Sequence, residues 1–195
     1  MHIYLVRHGE KQKAAGDPGL TERGIQQAEE TAEYFTHISL DKIISSPLRR
    51  TVQTAEIIAH KVGMTSSTDT RLVERSNWNG ETSFEAFVED WRKASRNRTY
   101  QPLVGDTSVH AGQRLEDEIQ AEAGVNNLLL VTHGGIITDF LRNIQTDEYL
   151  LSQYFHTYEN LRDSTVPECS ITQIEKNNNK FEIVDLCNTA HLSVV

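Results

Sequence analysis

Met1-His2-Ile3-Tyr4-Leu5-Val6-Arg7-His8-Gly9-Glu10 is a short apolar run that ends abruptly in charge. Ile3, Leu5 and Val6 have the aliphatic and β-branched character of a strand covered on both faces. The run breaks at Arg7-His8-Gly9, so these residues fall at the carboxyl end of the strand, where open α/β sheets bind ligands. Further along the chain, a second arginine, Arg50, stands in Ser45-Ser46-Pro47-Leu48-Arg49-Arg50. A second histidine, His133, stands in Leu128-Leu129-Leu130-Val131-Thr132-His133-Gly134-Gly135. Histidines and arginines placed just past a strand or at a helix start point to a site for a phosphoryl group.

The rest of the chain reads as strands alternating with helices. After a loop containing glycine and proline, Thr21 is the expected cap of a helix whose apolar stripe is Ile25, Ala28, Ala32 and Phe35. Residues 41–45 form the second expected strand. Ser46 is the expected cap of the next helix, with Pro47 at its first position, where a missing N–H costs nothing. Leu48, Val52, Ala55, Ala59 and Val62 are its expected buried stripe, and Gly63 its stop. Residues 68–73 read as a short strand, Phe84, Phe87, Val88 and Trp91 as an amphipathic helix, and 114–123 as a weaker helix. Residues 127–132 are the most apolar strand, followed by a helix from Gly135. A hairpin of 170–174 and 181–186 closes the chain around the turn signal Asn177-Asn178-Asn179. This alternation predicts an α/β fold: a three-layer α/β/α sandwich around a mostly parallel sheet.

Composition narrows the class. The 195 residues fit one domain spanning 1–195, and 37% hydrophobic with 24% charged residues is a globular balance. The net charge of −9 argues against general binding to nucleic acid or anionic membrane, yet leaves room for a local cationic pocket. No apolar run approaches membrane-spanning length, and the start lacks the pattern of a secretory signal. The two cysteines, Cys169 and Cys187, make no disulfide framework and read as small buried residues in a reducing, cytoplasmic protein.

Several blocks together resemble the histidine phosphatase superfamily, also called the phosphoglycerate mutase-like family. They are Arg7-His8-Gly9-Glu10, Leu20-Thr21-Glu22-Arg23-Gly24, the run from Ser45 through Arg50 to Ala55, and Thr132-His133-Gly134-Gly135. The ending Asn188-Thr189-Ala190-His191-Leu192 is similar to the tail of many members. The blocks span nearly the whole chain in the family's order. The resemblance implies a mostly parallel sheet with helices on both faces, the fold already expected.

The chemistry of the blocks fits that resemblance. A neutral imidazole is a competent nucleophile near pH 7 without a base, and His8 is the candidate. A Nδ1–H held by a backbone carbonyl would leave Nε2 free to attack. The resemblance assigns His8 as the residue that becomes phosphorylated. Arg7 and Arg50 would clamp phosphoryl oxygens with planar, permanently charged forks. The family's Leu-x-Arg spacing picks Arg50 over Arg49, which reads as a surface charge. His133 with Gly134 would aim a ring donor and backbone N–H groups at the anion, and the resemblance gives His133 the role of stabilising the transferring group. The leaving alkoxide needs a proton. Glu74 matches the family's acid after Leu-x-Glu, but the following Trp78-Asn79-Gly80-Glu81 departs from the usual pattern, so Glu81 and Asp106 remain alternatives. No spacing suggests a metal site, and no cofactor is expected.

The leading expectation is therefore a metal-independent phosphatase acting on a phosphorylated small molecule or a phosphoprotein. The rivals are a phosphoglycerate mutase-type transferase and a non-catalytic phospho-ligand sensor. The loop of residues 11–19 is short, and Lys13 stands where mutases of the family have an asparagine. The short loop and the modest length of the chain favour the hydrolase, because a mutase must shield its intermediate from water. Arg92, Lys93, Arg96 and Arg98 form a basic island, either a solvated helix end or a reader of a second anionic group on the substrate.

Overall fold

The computed structural model describes residues 1–178 and 180–193. Its sheet is built from β1 (His2–Arg7), β2 (Lys42–Ser45), β3 (Ser67–Thr68), β4 (Asn127–Thr132), β5 (Ile171–Asn177) and β6 (Lys180–Asn188). Their order is β3-β2-β4-β1-β5-β6. β1, β2, β3 and β4 run parallel, while β5 and β6 are antiparallel additions at one edge. The helices are α1 (Glu22–Phe35), α2 (Arg49–Lys61), α3 (Phe84–Arg96), α4 (Ser108–Ala121), α5 (Gly134–Ile144), α6 (Asp147–Leu150) and α7 (Tyr158–Asp163).

The two faces of the sheet follow from the period-two alternation of its strands. Ile3 and Leu5 of β1, with Leu128 and Leu130 of β4, pack with Leu115 and Ile119 of α4 and Ile136 and Phe140 of α5. Tyr4, Val6, Leu129 and Val131 point the other way, against Ala32 and Phe35 of α1 and Ala55 and Ile58 of α2. The expected α/β/α sandwich is what the chain forms. β1 and β4 are neighbours, and the helices that follow them, α1 and α5, lie on opposite faces of the sheet. A crevice therefore opens beyond their carboxyl ends, at a topological switch point.

Several local expectations are corrected. Ile25 is 40% exposed, although the rest of its stripe is buried. Ser46 is not the cap of α2. Leu48 holds that position without a side-chain bond, and the buried face is Arg50, Thr51, Thr54, Ala55, Ile58 and Ala59. The stripe is rotated relative to the expected one, and it carries the buried Arg50 beside small and apolar residues. The segment expected as a strand at 68–73 is only β3 followed by a 3₁₀ turn, Thr70–Leu72, capped by Asp69. The weak helix at 114–123 is the second half of α4, which starts at Ser108 behind a Thr107 cap. α6, a π turn at Leu151–Phe155 and α7 were not anticipated. The terminal hairpin forms as expected, though the turn signal includes Asn179, which lies outside the described residues. Cys169 and Cys187 are free and buried, in separate clusters.

Candidate active site

Three strand ends converge on the site. The His8 N–H donates to the Thr132 carbonyl at 3.0 Å, and the Ser46 N–H to the Val131 carbonyl at 3.0 Å, so the ends of β1, β4 and β2 are joined by backbone. The turn after β1 is fixed by side chains from the helices. Thr54 accepts from the Gly9 N–H at 3.1 Å, and Gln27 accepts from the Glu10 N–H at 2.8 Å. Gly9 and Gly24 are required by close approach: a Cβ on Gly9 would strike the Gly24 carbonyl, and one on Gly24 the Glu10 carbonyl. The start of α1 is thereby pressed against the Arg7-His8-Gly9 turn, which explains the glycine in the Leu20–Gly24 block. Behind the turn, Cys169, held at φ 55°, donates its N–H to the Arg7 carbonyl at 3.0 Å.

His8 sits at the floor of a cavity of about 510 Å³ that Arg7, Arg50, Glu74 and Gly134 also line. Its Nδ1 lies 2.7 Å from the Gly9 carbonyl oxygen, an acceptor that calls for a proton on Nδ1. Its Nε2 then accepts from Arg50 Nε–H at 3.1 Å. Burial lowers the pKa of His8 well below the usual histidine value, Arg7 and Arg50 add to the effect, and the Gly9 carbonyl opposes it. His8 is thus a neutral ring with a directed lone pair. His133 lies beneath it, with ring centroids 5.2 Å apart, and is fully buried. Its Nε2 is 2.9 Å from the Ser46 hydroxyl. Burial lowers its pKa well below the usual value too, helped by His8, Arg50 and Arg7.

Arg50 is only 3% exposed. Besides His8, it donates through Nη2 to Asn77 Oδ1 at 3.2 Å. Asn77 in turn donates to the Gly16 carbonyl at 2.7 Å, which ties the 11–19 loop to the site. Among the described residues, Arg50 Nη1 and His133 Nδ1 are buried without a hydrogen-bond partner. Buried polar atoms left unpaired are costly, and Arg50 Nη1 has only a long contact, 3.8 Å, to the Asp17 carboxylate. Arg7 is anchored differently, by the Val166 carbonyl and by Glu168 at 2.6 Å. Arg49 is exposed, as the family spacing implied.

Glu74 is brought to the same cavity. Its Oε2 accepts from the Gly135 N–H at 3.0 Å, and its Oε1 from the Ile136 N–H at 2.9 Å and the Arg75 N–H at 2.8 Å. The carboxylate therefore caps the start of α5, a favourable place for negative charge. The two alternatives lie elsewhere. Glu81 is exposed and does not line the cavity. Asp106 is bound to His110 at 3.0 Å and Arg114 at 2.8 Å. Among the described residues, no three His, Cys, Asp or Glu side chains converge as a metal cluster.

Other residues at the site went unrecognised in the sequence. Lys11, Asn77, Trp78 and Trp91 line the cavity. Arg75 is fully buried, bound to Asp139 at 3.0 and 3.2 Å and to Ser95 at 2.7 Å. Burial pushes the Asp139 carboxyl up to about 6, against the pull of Arg75. Ser46 carried a signal, but its oxygen reads as a cap in isolation and binds His133 instead.

The basic island does not survive as a unit. Arg92 lines the cavity but is paired with Asp163 at 3.2 and 3.3 Å. Lys93 pairs with Glu89 at 3.1 Å. Arg98 turns inward, donating to the Arg142 and Asp139 carbonyls at 2.7 and 3.0 Å.

Residues 3–189 match the model of the histidine phosphatase superfamily, branch 1. The chain belongs to this superfamily. A probable phosphoglycerate mutase GpmB of Yersinia pestis (strain Pestoides F) is 33% identical over 192 residues, covering 90% of this chain and 85% of that protein. Among solved structures, a mycobacterial glucosyl-3-phosphoglycerate phosphatase in complex with inorganic phosphate superposes with a TM-score of 0.71 and 25% identity, covering 98% of this chain and 99% of that one. The alpha-ribazole phosphatase of Shigella flexneri superposes with a TM-score of 0.70 over 96% of each chain, and at 22% identity this likeness bears on the fold alone. Among the described residues, this histidine phosphatase chain has no helix long and apolar enough to cross a membrane.

The depressed pKa values lead to a kinetic expectation. Protonation of His8 removes its lone pair, so with His8 as the expected nucleophile activity should fall once pH drops through its pKa. Because burial and the arginines lower that pKa, the acid limb of kcat/KM should lie below the ordinary histidine value of about 6.5. A pH profile, corrected for the substrate's own ionisation, checks this. An acid limb at or above that value would contradict a buried neutral His8.

Proposed function

We propose that this protein hydrolyses a phosphomonoester in two steps, through a phosphohistidine on His8. The observation that carries the reading is the pinned ring: Nδ1 is 2.7 Å from the Gly9 carbonyl and Nε2 faces Arg50 Nε at 3.1 Å inside a cavity. In the first step the Nε2 lone pair forms a bond to phosphorus and the ester oxygen leaves. The Arg50 Nε–H that His8 accepts in the free protein turns to a phosphoryl oxygen. Arg7, Arg50, His133 and the Gly134 N–H stabilise the equatorial oxygens. If Ser46 donates to His133 Nε2, the His133 proton stays on Nδ1, the ring nitrogen with no partner. The proton for the leaving oxygen enters with the substrate, bound as the phosphate monoanion, and passes through Glu74 to that oxygen; Glu74 then takes a proton from the water that attacks the phosphohistidine. This returns His8 and releases inorganic phosphate. All the positive charge in this scheme comes from the protein, and no metal or cofactor is invoked.

The substrate we infer is a phosphorylated small molecule, with a phosphoprotein as the wider class. Neither nucleic acid nor a membrane is assigned as partner. A reducing cytoplasm fits the two unpaired buried cysteines. The mutase alternative needs a second anion site to hold a sugar-acid carboxylate. The outer cavity wall is apolar, and Arg92, the cation beside it, is paired with Asp163 in the free protein, which favours the hydrolase.

The acid role is tested by Glu74→Gln. A general acid matters most when the departing oxygen is basic. The variant should lose about a hundredfold or more in kcat/KM for alkyl phosphates but only a few-fold for 4-nitrophenyl phosphate. Equal losses on both substrates would assign Glu74 a purely structural role at the start of α5.

A further inference from the structure

The cavity has two unlike halves. Its floor is cationic, with Arg7, Lys11 and Arg50 around His8. Its outer wall is made by Trp78, Phe84, Phe87, Val88 and Trp91. The rings form a continuous ladder: centroids are 5.3 Å apart for Trp78 and Phe84, and 6.4 Å for both Phe84–Phe87 and Phe87–Trp91. Both ends are fixed. The Trp78 indole N–H donates to the Thr82 carbonyl at 2.9 Å. The Arg75 guanidinium lies 3.8 Å from the Trp91 ring centroid, and Asp139 and Ser95 lock that arginine in turn.

Packing does not account for this wall. α3 buries only Ala94 and Ser95, and none of the five wall residues joins a core cluster. Phe84 is 54% exposed. Phe87, Val88, Trp78 and Trp91 are half-buried, and a contiguous, incompletely buried aromatic surface next to a polar cradle marks a ligand site rather than a folding contact. Nor does the wall offer a second anion much to bind, since Arg92 is held by Asp163 and Lys93 by Glu89.

We propose that the alcohol part of the substrate carries an aromatic ring, which stacks on the Trp78–Trp91 ladder while its phosphate lies on Arg7 and Arg50. This rests on the phosphatase reading for turnover, but it concerns binding and is testable without it. Ring–ring contacts in offset or edge-on geometry add to the gain from removing apolar surface from water.

Calorimetric titration of two non-hydrolysable probes, 2-phenylethylphosphonate and ethylphosphonate, separates the two ideas. Wild-type protein should bind the aromatic probe about tenfold or more tightly than the ethyl one. In Phe84→Ala/Phe87→Ala the preference should shrink to about threefold or less. Both residues lie outside the core, and circular dichroism reports whether the variant is folded. If the variant is unfolded, Phe84→Ala alone, at the exposed start of α3, should still reduce the preference. Equal affinity for the two probes in the wild type overturns the inference, as does tighter binding of 3-phosphoglycerate than of the aromatic probe. A preference that survives loss of the rings overturns it as well. Release of phosphate from 2-phenylethyl phosphate, assayed in parallel, reports on the phosphatase reading alone.

Discussion

His8→Ala is expected to lower kcat/KM for phosphomonoesters by about 10⁴-fold or more, because only binding and charge stabilisation remain once the nucleophile is gone. The loss should be one of chemistry, not of the site. Arg7, Arg50 and the start of α5 keep their own anchors in Glu168, Asn77 and Glu74. Inorganic phosphate should therefore still bind the variant. Phosphate release and phosphate titration, measured on the same preparation, check both halves of the expectation. A variant that keeps turnover within tenfold of the wild type is incompatible with His8 as nucleophile.

Arg50→Ala should cost about 10³-fold in kcat/KM, as expected for removing a donor aimed at developing phosphoryl charge. Arg50→Lys should recover little. The guanidinium points in three directions at once: to His8 through Nε, to Asn77 through Nη2, and through Nη1, which makes no hydrogen bond and has only a long contact, 3.8 Å, to Asp17. A lysine has one nitrogen and cannot hold that fork. Arg49→Ala provides the control, since that side chain is exposed and should alter kcat/KM by less than about threefold. Steady-state kinetics on the three variants distinguish a positioned fork from simple positive charge, which Arg50→Lys would restore.

The parts of the fold that were legible in the sequence are those whose residues are buried on both sides. β1 and β4 are runs of aliphatic residues, and no reading other than a central strand suits them. The places of Arg7, His8, His133 and Gly134 were legible for the same reason: they follow directly from where those strands stop. Glu74 was harder. It reaches the cavity, as Glu81 and Asp106 do not, from an irregular stretch after a 3₁₀ turn, held there by three backbone N–H groups that converge only in the folded chain. The α3 stripe was read correctly as amphipathic, but periodicity gives a face and not its partner. That face turned out to line the cavity instead of the core. The basic island misled because charge spacing along a helix says nothing of the acids brought to it. Asp163 and Glu89 neutralise Arg92 and Lys93, and Arg98, just past α3, is an inward staple to the α5 carbonyls. Ser46 shows the same limit on a smaller scale, its hydroxyl being used by His133 from 87 residues away.

The covalent step is the centre of the account, and trapping the phosphoryl-enzyme tests it most directly. Protein mixed with excess 4-nitrophenyl phosphate, quenched within the first turnovers under alkaline conditions and digested, should yield one phosphorylated peptide in the mass spectrum. Fragmentation should assign the phosphoryl group to His8, and the same peptide from His8→Ala should carry none. A phosphoryl group on His133 or any other residue, or turnover with no phosphorylated peptide in either the wild type or Glu74→Gln, would contradict nucleophilic attack by His8.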